Sequence, residues 1–238
     1  MNPAQLLTHF DRISEAPDAI PRLRRFILDL AVRGKLVEQD PRDEPASELL
    51  KRIQDERARL VLKGWIRKQD LQDEIAPQDI PFPLPECWAW ARLGDVIHLV
   101  SGQHLRPGEY SDQPQSGLPY ITGPADFGQN GLVITRYAAA RKAVAKKGQT
   151  LLTVKGAGVG KTAICDLPEV AICRQLMVMT AIEWSQPYLL LITHRLAAVL
   201  KESARSLIPG ISREDVDQFV ILSRLSPNST ASSPRSMS

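Results

Sequence analysis

The chain has 238 residues, 43% of them hydrophobic and 24% charged, which suits one domain with a full core plus a smaller appended unit. No apolar run reaches 18 residues, and the opening MNPAQLLTHFDRISEAP is charged with no leader-like core, so the expectation is a cytoplasmic protein without a membrane span. Net charge is only +3 but unevenly placed: residues 1–80 carry 14 basic and 15 acidic side chains, residues 92–161 nine basic against four acidic, a pattern that suits an anionic partner and that an ordinary solvated surface also shows.

In chain order, residues 3–33 read as two helices. Leu6, Leu7, Phe10 and Ile13 keep helical spacing, and Pro17 interrupts. Asp18 can cap a second helix with Pro21 near its start, an apolar stripe of Leu23, Phe26, Ile27, Leu30 and Ala31, and Gly34 as its stop. A third helix is expected from about Pro45 to Lys63, on Leu49, Leu50, Ile53 and Leu60 or Val61, with Glu48–Arg52 and Asp55–Arg59 as i, i+4 pairs. That helix either packs back onto the following domain or offers a face to a partner. Residues 64–80 lose periodicity and read as a linker.

Pro81, Pro83 and Pro85 then give a rigid, extended entry to a second unit. Trp88 and Trp90 alternate with small residues on one face of a strand, Leu93-Gly94-Asp95 turns the chain, and Val96 to Val100 form a second strand. Residues 102–118 form a Gly/Pro/Ser/Gln-rich loop that a scaffold can hold for function. Leu118–Thr122 is a strand, Asn130-Gly131 a hairpin signal, and Ala138–Ala145 a short helical turn. Gly148–Val154 is a buried strand leading into KGAGVGKTAI, Lys155–Ile164. A phosphate-binding P-loop needs its first glycine at 155, where lysine stands, and a helix after the lysine, where Pro168 comes too soon. An ATPase built on this loop would lose its turnover in Lys161→Ala. Val170–Cys173 and Leu176–Ala181 are strands joined by Arg174-Gln175. A helix follows from Pro187 to about Ala204, with Leu190, Leu191, His194, Leu196, Ala197 and Leu200 on its apolar side and His194 in a packing role. Phe219–Leu222 is the last strand. Cys87, Cys165 and Cys173 lack the spacing of a zinc site or a disulfide framework, so neither metal nor cofactor is expected. The fold class is α+β: a helical arm with linker over 1–79, a strand-rich mixed α/β domain over 80–222, and a low-complexity tail, SRLSPNSTASSPRSMS, making 223–238 a disordered segment.

Two stretches go further. Leu84, Pro85, Trp88, Trp90, Leu93, Gly94, Asp95, Ile97 and Gly102 form the pattern LP-x-x-W-x-W-x-x-LGD-x-I-x-x-x-x-G. It resembles the opening of a target recognition domain in the DNA specificity subunits of type I restriction–modification systems. Ala31-Val32-Arg33-Gly34-Lys35-Leu36-Val37, with Asp40-Pro41 and Glu44-Pro45-Ala46, is similar to the N-terminal arm of the same family. The glycine-rich 156–161 turn and Ile208-Pro209-Gly210-Ile211-Ser212 also match it, with Gln149 where the family often has aspartate.

The resemblance implies a non-catalytic subunit that reads one half of a bipartite site on double-stranded DNA and directs methyltransferase and endonuclease subunits to it. On that expectation Lys146, Lys147 and Lys155 hold phosphates, while Arg106, Thr122, Arg174 and Gln175 meet base edges. The alternative is a shortened subunit that binds the methyltransferase through its arm without productive DNA recognition. Ser226–Ser238 can be encoded so that a two-base shift reads Pro-Glu-Gln-His-Arg-Ile-Val-Ala-Lys-Val-Asp-Glu, similar to the family's continuation. The expectation is a frameshift near residue 222 that leaves the first half of a subunit. If the half-length chain is natural, a symmetric homodimer on a palindromic site is expected instead.

Overall fold

The computed structural model describes residues 18–32, 45–66, 88–114, 117–203 and 210–223, with isolated positions at 8, 68, 75, 76, 80 and 84. The expected Leu6–Ile13 helix apart from Thr8, the Gly34 stop, most of the linker and its prolines, Cys87, and the tail beyond Ser223 lie outside the described residues.

Helix α1 spans Ala19–Val32. It starts where the Arg22 N–H reaches Asp18 O at 3.2 Å, the two side chains standing 3.8 Å apart on the surface. Leu30 is buried and Leu23 and Phe26 half-buried, while Ile20 and Ile27 face outward. Helix α2 is Ala46–Leu62, opened by Pro45. Its buried positions, Ala46, Leu49, Ile53 and Arg57, recur every three or four residues, and that stripe packs onto the domain that follows. The arm therefore folds back. One ion pair differs from the sequence reading: Arg59 takes Glu56, with Nε and Nη2 each donating at 2.6 Å, in place of Asp55. The longer glutamate one turn back meets both prongs of the guanidinium.

Strand β1, Ala89–Arg92, pairs antiparallel with the last strand, β13, Val220–Ser223. The turn after β1 is a one-turn helix, α3, Leu93–Val96, tied down by Leu93 N–H to Phe219 O at 2.8 Å. Strand β2, Ile97–Ser101, then enters a four-stranded antiparallel sheet. Its other members are β9 (Thr150–Thr153), β10 (Thr162–Ile164) and β12 (Leu176–Ala181), in the order β10-β9-β12-β2. A second sheet has the order β3-β7-β4-β11-β8. It is built from β3 (Tyr110–Ser111), β4 (Leu118–Ile121), β7 (Tyr137–Ala138), β8 (Val144–Lys146) and β11 (Glu169–Ile172), with β4 and β11 parallel.

Strand alternation sorts the core. On β12, Leu176 and Val178 meet Ile121, Val170 and Ile172 of the second sheet, while Met177 and Met179 face Leu189, Ile192 and Leu196 of helix α4, Gln186–Ser203. The order of layers is helices, four-stranded sheet, five-stranded sheet. Within α4 the apolar face is one step off the sequence reading. Leu189, Ile192 and Thr193 are buried, Leu190 and Leu191 only half-buried, and His194 is turned outward to hydrogen-bond Thr162 Oγ1 at 2.7 Å. The unbroken run from Tyr188 to Ile192 does not set the phase, so packing does.

The sequence also places a helical turn over 138–145. The structure has β7 and β8 there instead, because pairing with β3, β4 and β11 outweighs the helix propensity of alanine. The Asn130-Gly131 hairpin is present as β5 (Phe127–Gly128) and β6 (Gly131–Leu132), with Gln129 and Asn130 as its loop. Residues 154–161 form the return from β9 to β10, closed by Gly160 N–H to Thr153 O at 2.9 Å and Thr153 N–H to Lys161 O at 2.8 Å. A strand follows Lys161 where a P-loop has a helix. Helix α5, Arg213–Asp217, opens with a capping box in which Ser212 Oγ accepts from Asp215 N and the Asp215 carboxylate accepts from Ser212 N. Among the described residues no helix is long and apolar enough to cross a membrane.

Candidate nucleic-acid interface

The parallel pair β4 and β11 runs side by side and ends together, and the chain leaves both strands at the same edge. From β4 it passes through Thr122 and Gly123 into the 3-10 turn Pro124–Asp126; from β11 it makes the tight turn Cys173-Arg174-Gln175 into β12. Two further loops reach this edge. The segment after β2 is held by Gly102 N–H to Leu176 O at 2.9 Å and Gln103 N–H to Ile172 O at 3.1 Å. The β9–β10 return is held by Val154 N–H to Gln175 O at 2.7 Å. Close approach here needs glycine: a Cβ on Gly102 would lie 2.0 Å from Cys173 O, and one on Gly158 2.3 Å from the Pro124 ring.

Where the loops meet, a cleft of about 190 Å³ opens. Its floor is aromatic. Tyr110 and Tyr120 stand 5.7 Å apart between ring centroids, tilted by 39°, and the Arg136 guanidinium lies 5.4 Å from the Tyr110 ring. His104, Arg174 and Gln175 complete the wall together with Thr122. Burial pushes the Tyr120 hydroxyl up to about 12, so it stays protonated at neutral pH. Burial likewise raises Cys173, whose thiol donates to Thr122 O at 2.6 Å. Among the described residues no carboxylate lines the cleft. The nearby Asp126 is buried, with one oxygen accepting from both Thr122 N, at 2.7 Å, and Thr122 Oγ1, at 2.9 Å.

Of the seven residues singled out from sequence, this edge collects Thr122, Arg174 and Gln175 as lining, with Lys155 on the adjoining return and Arg106 on the loop behind His104 and Leu105. Arg106, Lys155 and Arg174 are exposed. Lys146 and Lys147 are elsewhere. Lys146 of β8 stands opposite Glu169, the first residue of β11, in the strand register, and Lys147 N–H bonds Pro168 O at 3.2 Å. Five residue steps of largely extended chain, from Glu169 to Arg174 and roughly 17 Å at about 3.3 Å per residue, separate the two ends. The sequence reading did not single out His104, Tyr110, Tyr120 and Arg136 for this site. Arg136 belongs to the basic excess over 92–161, but nothing local ties it to Tyr110.

Basic groups differ in how they are engaged. Arg141 pairs with Glu169, Lys142 with Glu109 at 2.6 Å, Arg59 with Glu56, and Arg92 Nη1 donates to Gln218 O at 3.1 Å. The side chains of Arg136, Arg174 and Gln175 have no hydrogen-bond or ion-pair partner among the described residues. Among those same residues, no group of three His, Cys, Asp or Glu is placed to hold a metal ion. The cleft thus offers free donors over an aromatic floor, an arrangement suited to binding.

Over 101 residues the chain is 48% identical to the specificity subunit of the type I restriction enzyme EcoAI from Escherichia coli, a match covering 42% of this chain and 17% of that subunit. The chain is similar to type I restriction specificity subunits. A second such subunit, that of EcoEI from Escherichia coli, is 46% identical over 96 residues, covering 40% of this chain and 16% of its own length. No family model matches. Among solved structures, the HsdS subunit from Thermoanaerobacter tengcongensis aligns with a TM-score of 0.54 at 22% identity, over 90% of this chain and 45% of that one. A chain from a study of complex assembly and conformational transition of the type I R-M system gives the same TM-score and identity, over 93% and 46%. The mixed α+β fold is therefore shared with specificity subunits, and the chain spans about half the length of those solved chains.

Proposed function

We propose that the chain is a DNA-recognition unit of a type I restriction–modification complex, reading one half of a bipartite duplex target and carrying no catalytic centre. The observation that carries this reading is the cleft itself. Arg136, Arg174 and Gln175 present donors unpaired among the described residues at one edge of the sheet, while basic groups such as Arg141, Lys142 and Arg59 are neutralised by carboxylates. A donor without a protein partner can be desolvated against a base edge without breaking a bond at home. Arginine suits guanine O6/N7 and glutamine suits adenine N6/N7 in the major groove.

In this reading residues 1–79 are an arm and linker and 80–222 the recognition domain. Arg174 and Gln175 touch base edges, with Arg106 and Thr122 at the margin of the cleft. Lys155 holds phosphate beside them, and Lys146 and Lys147 hold phosphate at the opposite end of β11. The arm, docked through Leu49, Ile53 and Arg57, presents its other face to methyltransferase and endonuclease subunits. The protein works in the cytoplasm, where its DNA is.

Selection from a pool of randomised duplexes by the 238-residue chain tests the reading. A short recurrent motif in the enriched pool is the expected result. A pool that stays random, bound with an affinity set only by salt, would contradict it.

A further inference from the structure

The geometry points to Arg136 as a specificity-determining residue that takes a guanine edge, pre-oriented by the Tyr110 ring. This rests on the DNA-recognition reading and adds to it a residue and a base. The register explains how the pair forms. Ala138 of β7 sits opposite both Tyr110 of β3 and Leu118 of β4. Two residues back along the same face, Arg136 lies diagonal to Tyr110, and two residues on from Leu118 stands Tyr120. The Tyr120 N–H bonds Arg136 O at 2.8 Å, so the backbone below the guanidinium is fixed by the sheet.

The guanidinium lies over the Tyr110 face at 5.4 Å and has no hydrogen-bond or ion-pair partner among the described residues, so that contact leaves its N–H edge for a ligand. A stacked arginine keeps its planar fork, loses less rotamer freedom on binding, and matches the two acceptors of guanine. The residues around it, His104, Tyr120, Arg174 and Gln175, present no carboxylate to compete for the fork.

The test extends selection from randomised duplexes to Arg136→Ala, Arg136→Lys and Tyr110→Leu chains, with thermal melts to confirm folding. The wild-type motif is expected to contain a guanine whose preference over other bases falls about tenfold or more in Arg136→Ala, with the remaining positions unchanged. Arg136→Lys is expected to keep overall affinity and lose the same preference, because an ammonium has no fork. Tyr110→Leu is expected to weaken the preference severalfold. An Arg136→Ala motif identical to wild type, or an equal loss on enriched and random DNA, would overturn the assignment while leaving DNA recognition standing. A wild-type pool with no motif would overturn the DNA-recognition reading and this inference with it.

Discussion

Arg57 is 8% exposed within α2, and its Nη1 lies 2.6 Å from Gly94 O and 3.0 Å from Asp95 O. These carbonyls belong to the one-turn helix α3, which is too short to satisfy them internally. In sequence Arg57 is a charge in step with Leu49 and Ile53 on the apolar stripe, and the folded-back arm turns it into a buried donor. Arg57→Met keeps the stem and removes both bonds. It is expected to lower stability by about 1–3 kcal/mol, read as a shift of the urea midpoint; an unchanged midpoint would show that water replaces the guanidinium. Thr122 shows the same dependence on context. Its type suits a base contact, but its hydroxyl already donates to Asp126 at 2.9 Å. Asp126→Ala would leave the Thr122 N–H and hydroxyl without their acceptor, and a loss of about 1–3 kcal/mol is expected in the same unfolding measurement.

At the scale of elements, local chemistry decided most of what the sequence could say. Helix α2 follows from its apolar spacing and the β9–β10 return from its glycines, whereas α5 and its capping box, Ser212 with Asp215 three residues on, were not read from the sequence. Ser212→Ala is expected to reduce stability by about 1 kcal/mol, again by denaturation. Where local signals were weak or uniform, partners decided: the two ends of the alanine-rich 138–145 joined strands β7 and β8, and the leucine run of α4 took its phase from β9 and β12. Strand β2 also makes a pH prediction. His98 is held below its usual range, first by burial and then by Arg213 and Arg57. Above about pH 6.5 folded and unfolded chains both keep this imidazole neutral. On acidification the unfolded chain takes the proton first, so stability falls as pH drops through 6.5. His98→Gln is expected to flatten that part of the stability–pH curve, and an unaltered slope would place the proton uptake elsewhere.

The whole molecule was legible as an α+β chain with a helical arm and a strand-rich domain. Its strand order was not. The order β10-β9-β12-β2 and the order β3-β7-β4-β11-β8 both join strands distant in sequence, and no spacing rule encodes such pairings. That is why Arg174 and Gln175 could be picked out by residue type, whereas Tyr110, Tyr120 and Arg136 emerged as a group only once β3, β7 and β4 lay side by side. The same arrangement makes the central claim testable, because it puts the proposed base-reading groups Arg174 and Gln175 and the proposed phosphate-holding pair Lys146 and Lys147 at opposite ends of β11. The measurement is the dissociation constant for an enriched duplex and for its scrambled counterpart, titrated over salt, for wild type, Arg174→Ala and Lys147→Ala. The account predicts a high enriched-to-scrambled ratio in wild type. Arg174→Ala should lower that ratio about tenfold or more with little change in slope. Lys147→Ala should weaken both duplexes alike and reduce the salt slope by about one. Equal binding of enriched and scrambled DNA by the wild-type chain would contradict it.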